Sequence, residues 1–248
     1  MKKFILVSAI IFLFCSVFAF DELWQKASAL AESSKNLVAG KTTVDMKIAG
    51  KKENDPINAE MKMVFATFVG EDGELKTEVV SHELISDADD EIDVSVDASD
   101  KGSDNDKKKG DFDLSLGSSS SSNIGIFRET NPKNLTVKPI KETQHINGKM
   151  CQGYDVQFTP DGDKKQRIAG KMWIEIVSGI PIMFDFKMSK TPMFVKSIQT
   201  KAYYTFNEEK QQIFVEKAES YTISSILFIR VAMDMFMTFE DFFEFEKP

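Results

Sequence analysis

The chain has few of the side chains that enzymes use for covalent chemistry. Its 248 residues include two histidines, His82 and His145, and two cysteines, Cys15 and Cys151. The sequence also contains no glycine-rich phosphate loop, no nucleophile elbow and no paired metal-ligand motif. These absences argue against the nucleotide-binding proteins, hydrolases and metalloenzymes that depend on such motifs, and no cofactor is expected.

The N-terminus has the organisation of a secretory signal peptide. Two lysines precede an apolar run over residues 4–14, and residues 17–19 supply small or aliphatic side chains at the cleavage positions. The run is shorter than a stable membrane span requires, which makes an uncleaved anchor the weaker alternative. We therefore expect residues 1–19 to be a signal peptide and residues 20–248 to form a single periplasmic domain.

The scarcity of cysteine limits both anchoring and cross-linking. Cys15 raises the alternative of a lipid-anchored protein, but Phe14 and Phe12 stand where such a signal needs a small residue and an aliphatic one. Cleavage of the signal would leave Cys151 alone, which excludes an internal disulfide framework. Stability must therefore come from packing.

Basic residues are also fewer than acidic ones, with 31 lysines and arginines against 39 aspartates and glutamates. The formal net charge is −8, and removal of the signal peptide takes away two lysines and no acids, so the mature chain carries about −10. An acidic protein repels phosphate groups, which makes nucleic acid and anionic bilayer surfaces poor general partners.

The segment from Asn147 to Phe186 indicates a meander of β-hairpins. Tight hairpin turns need positive φ angles, which particular dipeptides supply, so strands on either side of them pair as antiparallel neighbours. Three such dipeptides separate runs that alternate apolar and polar residues: Asn147-Gly148, Asp161-Gly162 and Ser178-Gly179. The strands they join are predicted over residues 149–158, 166–176 and 180–186.

Alternation predicts further strands on both sides of this segment, over residues 41–50, 58–69, 74–84, 135–146, 194–206, 212–224 and 226–239. The stretch Phe20–Val38 instead has apolar residues at three- and four-residue spacings, including Leu30 and Leu37, with Gly40 after its end. That spacing predicts an amphipathic helix.

The residues from Ser86 to Asn123 differ from the rest of the chain. They are rich in acids and serines and contain too few apolar residues to offset the entropy of ordering. A divalent-cation site is one interpretation, because Asp87, Asp89 and Asp93 crowd together, but their spacing is not that of a calcium loop. We favour a solvated insertion at 86–123. Short edge strands over residues 93–97 and 111–116 are the alternative for part of this segment.

Four strings within the meander carry a family resemblance: Ile146-Asn-Gly-Lys, Gly153-Tyr-Asp-Val, Gly170-Lys-Met-Trp-Ile-Glu and Ser178-Gly-Ile-Pro. Together they resemble the periplasmic proteins that sort outer-membrane lipoproteins, the lipoprotein-localisation-factor superfamily. The resemblance covers about the last hundred residues. It implies a half-open antiparallel barrel, a helical lid and a hydrophobic cavity that takes up acyl chains.

The expected fold is mainly β with α: a curved antiparallel sheet that forms a half-open barrel, covered by the N-terminal helix. The chain has twelve methionines and 21 phenylalanines against two tryptophans. A one-layer sheet with many such residues presents more apolar surface than one helix covers, and a ligand is a natural way to cover the rest. The residues expected to line the cavity are Leu30, Met46, Ile48, Met61, Met63, Phe65, Tyr154, Val156, Phe158, Met172, Ile174, Ile182, Phe184 and Phe186.

The main hypothesis is therefore a periplasmic carrier or sensor that binds lipid or lipoprotein acyl chains without covalent chemistry. A second hypothesis is an envelope interaction module with the same fold, a filled core and protein partners. A third is an enzyme or zinc protein, which requires His82, His145 and Cys151 to converge.

Overall fold

The computed structural model describes residues 22–52, 55–85, 133–159, 167–189, 191, 195–226 and 229–246. The predicted signal peptide, the insertion at 86–123 with its optional edge strands, and the Asp161-Gly162 turn lie outside the described residues. Helix α1 spans residues 22–32. The strands are β1 Leu37–Lys52, β2 Asp55–Val69, β3 Leu75–Ile85, β4 Lys133–Ile146, β5 Lys149–Thr159, β6 Ile168–Glu175, β7 Pro181–Met188, β8 Val195–Asn207, β9 Gln212–Ile226 and β10 Ile229–Glu244.

All ten strands belong to one antiparallel sheet in the order β3-β2-β1-β10-β9-β8-β7-β6-β5-β4. Strands β4 to β10 follow one another as neighbours, as the turn dipeptides predict. The sheet continues because β10 pairs with β1 along almost its whole length, from Leu37 opposite Glu244 to Lys51 opposite Arg230. Strands β3 and β4 are its edges, so the described strands form an antiparallel sheet that is not closed into a barrel. The prediction of a mainly β antiparallel fold is confirmed.

The hairpin between β4 and β5 turns at Asn147-Gly148, as predicted. Asn147 has a φ of 51° and Gly148 a φ of 77°. Both values are positive. A tight two-residue hairpin turn of this type requires positive φ angles at both residues, because its twist then matches the twist of the two strands. This turn brings Ile146 opposite Lys149 and starts the β4–β5 pairing.

The predicted helix is too long at its C-terminal end. The helix ends at residue 32, and Leu37 and Val38 begin β1 as buried strand residues. The chain leaves the helix through tight turns, since the Leu37 amide donates to the Ser34 carbonyl at 3.1 Å. The buried Ser34 hydroxyl then accepts a hydrogen bond from the Ile213 amide at 2.8 Å, which fixes this turn to the start of β9. Apolar spacing alone did not reveal this change of structure.

One face of the sheet carries the main hydrophobic core, and we call it the apolar face. Its buried residues extend from Met61 and Met63 on β2, through Ala218 on β9 and Ala202 on β8, to Phe158 on β5. A second, smaller cluster contains Ile146, Cys151, Trp173 and Ile182. Because side chains alternate along a strand, and Cys151 and Trp173 alternate with Tyr154 and Met172, this second cluster lies on the opposite face, the polar face.

Ile182 is the one cavity candidate that the sheet carries to the polar face. Trp173 of β6 pairs with Met183 of β7, but the next residue, Ile174, pairs with Pro181. Ile182 is therefore the extra residue of a β-bulge, which changes the face that a side chain occupies. It is buried in the second cluster rather than beside Phe184 as expected.

Candidate functional site

Methionines form a continuous patch on the apolar face of three neighbouring strands. Met46 of β1 lies opposite both Met61 of β2 and Met235 of β10, and Ile48 lies opposite Met233. We call the set the methionine patch; it consists of Met46, Met61, Met63, Met233, Met235 and Met237. An unbranched thioether side chain adopts many shapes at low cost, so a surface built from it adapts to different apolar partners.

The patch is buried at its centre and partly exposed on one side. Met46 and Met63 are 2% and 3% exposed, whereas Met233 and Met235 are only partly buried. Ile48 and Phe65 also pack against the cluster while remaining partly buried. The patch therefore meets solvent along β10.

The other half of the apolar face is filled by the protein's own aromatic and aliphatic side chains. Tyr154, Phe158 and Phe184 are at most 1% exposed. The rings of Phe184 and Phe186 stack with their centroids 4.8 Å apart. Burial also raises the pKa of Tyr204, whose phenol is therefore neutral. We call this region the aromatic half, and its packing is that of an ordinary protein core.

Helix α1 packs against this face through its N-terminal half. Leu23, Trp24 and Ala27 contact the main cluster, and Ala27 and Ala31 are almost fully buried. The Trp24 ring lies 5.5 Å from that of Tyr154, centroid to centroid. A helix of this length is roughly 16 Å long, whereas ten strands extend over about 45 Å. The helix therefore covers only part of the apolar face.

Small and hydroxylated side chains lie between the two regions, on the apolar face of β8 and β9. Ala202 lies opposite Ala218, and Thr200 opposite Ser220. All four are buried, and the hydroxyls of Thr200 and Ser220 hydrogen-bond to each other at 3.2 Å. Short side chains at these positions leave more room above the sheet than the large residues on either side.

The structure brings most of the cavity candidates together. The main cluster includes Met46, Met61, Met63, Tyr154, Val156, Phe158, Met172, Ile174, Phe184 and Phe186, with Ile48 and Phe65 packed against it. Ile182 lies in the second cluster, and Leu30 is partly buried but is not among the helix residues that pack against the main cluster. Whether any of these residues contacts a ligand remains a prediction.

The sequence candidates omitted half of the methionine patch. Met233, Met235 and Met237 alternate with polar residues and so were recognisable as one face of a strand. Their position beside Met46 depends on the β1–β10 pairing, which joins strands from opposite ends of the sequence. No local pattern indicates such a pairing.

The histidines and the buried cysteine do not form a catalytic or metal-binding group. His145 pairs with Met150, whereas Cys151 pairs with Gln144, so the two side chains point to opposite faces of the sheet. His82 lies on β3, at the other edge. Within the described ranges, no group of three histidine, cysteine or acidic side chains is placed to hold a metal ion.

Cys151 is expected to be unreactive in the folded protein. It is fully buried, and burial, reinforced by the Glu175 carboxylate, raises the pKa of its thiol, which keeps the thiol protonated. In a Cys15→Ser background, alkylation by iodoacetamide should be at least about a hundredfold slower in the native protein than in urea, because attack requires local opening. Equal rates in the two states would show that Cys151 is accessible and that this part of the sheet is open.

The polar face carries a groove of its own. It has a volume of about 380 Å³ and lies across β1, β10, β9 and β8. Charged side chains of both signs line it, including Lys47, Lys201 and Asp234, together with the exposed rings of Tyr221 and Phe236. The charged side chains in its lining distinguish it from the methionine patch.

None of the helical structure among the described residues is long and apolar enough to cross a bilayer. No family model matches this chain, and no curated protein matches it.

Three solved structures are similar to this chain at low sequence identity. One is a DUF1329 family protein from Desulfovibrio piger, with 11% identity, a TM-score of 0.31, and coverage of 88% of this chain and 92% of that one. A domain from Vibrio parahaemolyticus named as an outer membrane lipoprotein-sorting protein has 11% identity, a TM-score of 0.33, and coverage of 89% and 93%. Lipovitellin, in a structure concerned with lipid–protein interactions, has 7% identity, a TM-score of 0.30, and coverage of 86% of this chain but 26% of that chain. Similarity at this level identifies no family, ligand or function.

Proposed function

We propose that this protein is a non-enzymatic lipid-binding protein of the periplasm, which takes up acyl chains on the methionine patch. The observation that carries the proposal is the patch itself: six methionines in register on β2, β1 and β10, partly exposed along β10. The aromatic half already supplies a packed core, so core packing does not require a second apolar surface of this size. The signal-like N-terminus supports the periplasmic location.

The chemistry of the patch fits a hydrocarbon chain of variable length and shape. From Val44 to Ile48 on β1, and at the positions paired with them on β2 and β10, the apolar face holds only methionine, isoleucine, valine and alanine, so a chain lying there meets no charge. Methionines repack around different chains more readily than branched residues do. A carrier or sensor of acyl chains, including those of lipoproteins, needs such tolerance.

The double variant Met233→Gln/Met235→Gln tests the proposal directly. Glutamine is as long and unbranched as methionine, and both positions are only partly buried, so the variant should fold with little loss of stability. Covering an unpaired amide with an acyl chain costs roughly 1–3 kcal/mol, so affinity for the fluorescent ester methyl cis-parinarate should fall at least about tenfold. Fluorescence titration measures this change.

Met150→Gln is the matched control for this experiment. Met150 is 47% exposed at the start of β5, and the same substitution there should leave both probe affinity and stability unchanged. If the double variant binds the probe as tightly as the natural chain does, the patch is not the binding surface.

The interaction module is the second candidate, and the groove on the polar face favours it. The exposed rings of Tyr221 and Phe236, among charges of both signs, are features common in protein interfaces. This function predicts that the natural chain purifies from the periplasm without lipid and does not bind methyl cis-parinarate. Lipid extraction followed by mass spectrometry therefore separates the two candidates.

A further inference from the structure

A row of directly paired side chains crosses the polar face of the sheet, and we call it the charge row. Between β8 and β4 each of its residues lies opposite the next, and their charges alternate in sign. The residues of this part of the row are Lys201, Asp185, Lys171, Asp155 and Lys138. Opposite charges at directly paired positions stabilise a sheet.

The alternation is broken on β10. Beyond Lys201 the charge row continues to Glu219 of β9, and at its far side Asp45 of β1 lies opposite Lys62 of β2. Between Glu219 and Asp45 stands Phe236 of β10, which pairs with both. Alternation would place a cation at this position, and an uncharged ring occupies it. Two carboxylates therefore flank the Phe236 ring.

The lysines of the charge row on either side of the break do not neutralise it. Lys62 pairs with Glu83 on its other side, and Lys201 pairs with Asp185 on its other side. Each lysine is therefore shared between two carboxylates. Lys62 Nζ lies 3.9 Å from Asp45 Oδ1, which is long for a charge-assisted hydrogen bond.

The two lysines diagonal to Phe236 direct their charges to other strands. Lys47 of β1 bonds to Glu60 of β2 at 2.8 Å. Lys217 of β9 holds its ammonium 4.8 Å from the centroid of the Tyr203 ring on β8. Both interactions hold the ammonium groups away from β10.

The groove on the polar face lies over the break. Its lining carries three carboxylates, of Asp45, Glu219 and Asp234, against two lysines, and its volume of about 380 Å³ is within the range of small-ligand sites. The rings of Tyr221 and Phe236 are 43% and 38% exposed in it. The face of an aromatic ring attracts cations. The rings and the carboxylates therefore favour the same kind of ligand.

A guanidinium group fits this arrangement better than an ammonium group does. It is planar, so it stacks on a ring, and its hydrogen-bond donors lie around its edge. Strands β1 and β9 are about 10 Å apart across β10, so a group stacked on the Phe236 ring has the carboxylates of Asp45 and Glu219 on opposite sides. The formal net charge of −8 also favours a basic partner.

We propose that Phe236, Asp45 and Glu219 form a docking site for an arginine side chain of a partner protein. The guanidinium stacks on the Phe236 ring and donates hydrogen bonds to the two carboxylates, which supplies the cation that the charge row lacks. The site lies on the opposite face of the sheet from the methionine patch, so this inference is independent of acyl-chain binding.

Titration of the ¹⁵N-labelled full chain with acetyl-Gly-Arg-Gly-amide, followed by amide NMR at low ionic strength, tests the inference. The shifts should centre on Asp45, Phe236 and Glu219. The same peptide with citrulline in place of arginine carries a neutral group of similar planar shape. It should bind at least about tenfold more weakly, because it forms no charge-assisted hydrogen bonds. The peptide with lysine should also bind more weakly, because an ammonium lacks the planar fork.

Phe236→Lys supplies the missing cation from within the chain, so it should weaken binding of the arginine peptide at least about tenfold. Val177→Lys is the matched control. It adds the same charge at a residue that is 85% exposed in the turn between β6 and β7, and it should change the affinity less than about twofold. Glu219→Gln, measured separately, should weaken binding about fivefold, which keeps the comparison valid should the lysine variant misfold.

Three results would overturn the inference. The first is a citrulline or lysine peptide that binds as tightly as the arginine peptide. The second is unchanged binding of the arginine peptide by Phe236→Lys or, should that variant misfold, by Glu219→Gln. The third is the absence of peptide-induced shifts on β1, β9 and β10 of the natural chain. Binding of methyl cis-parinarate is measured separately, so the proposed function survives each of these results.

Discussion

Phe184→Ala should lower the free energy of unfolding by about 3–5 kcal/mol. Phe184 is fully buried at the centre of the aromatic half, where it lies opposite Met172 and Ala202 and stacks on Phe186. Removing the ring loses its transfer free energy and leaves a cavity that a close-packed sheet cannot collapse around. Urea denaturation followed by circular dichroism measures the change, and the slope of the transition should stay the same.

Phe236→Ala is the comparison for this prediction. Phe236 is 38% exposed beside the groove on the polar face, so the same truncation there should cost less than about 1 kcal/mol. If the two variants lose similar small amounts of stability, the aromatic half is not the packed core described here. The division of the apolar face into a core and a binding surface would then be wrong.

Ala27→Asp should release helix α1 from the sheet without unfolding the sheet. Ala27 is fully buried against the main cluster. An unpaired carboxylate held there would cost about 3–5 kcal/mol, and the helix escapes this cost by moving into water. We expect one cooperative unfolding transition and a red shift of Trp24 emission in a Trp173→Phe background.

Ala29→Asp is the matched control for the helix. It introduces the same charge into the same helix at an exposed position, so it should change neither Trp24 emission nor probe affinity. Failure of the Ala27→Asp protein to fold would show that the helix is part of the core. Normal folding with unchanged Trp24 emission would show that the charge at position 27 does not release the helix.

Most of the sheet was predictable because its information is local. Alternation places each strand, and Asn147-Gly148 supplies the positive φ angles that join β4 to β5. Ten cavity candidates consequently lie in one cluster. The strand ends differ from the predicted ones by a few residues: β1 extends past its apolar alternation at both ends, whereas β6 is shorter than predicted.

The parts that could not be predicted depend on long-range contacts or on local irregularity. The pairing of β1 with β10 creates the methionine patch, and nothing near Met46 or Met235 indicates it. The bulge on β7 sends Ile182 to the other face. The early end of α1 depends on the hydrogen bond between Ser34 and the distant Ile213, so Leu37 joins a strand. Replacing Leu37 would therefore disturb β1 rather than a lid.

The central claim is that the methionine patch holds the acyl chain, and methionine-methyl NMR tests it most directly. With [¹³C]methyl-methionine labelling and titration by methyl laurate, the account predicts shifts in the resonances of the methionine patch, largest for the partly buried Met233 and Met235. The resonances of Met150, exposed at the start of β5, and Met183, packed against the second cluster, should not move. Shifts confined to Met150 or Met183, or no shift at saturating ester, would contradict the account.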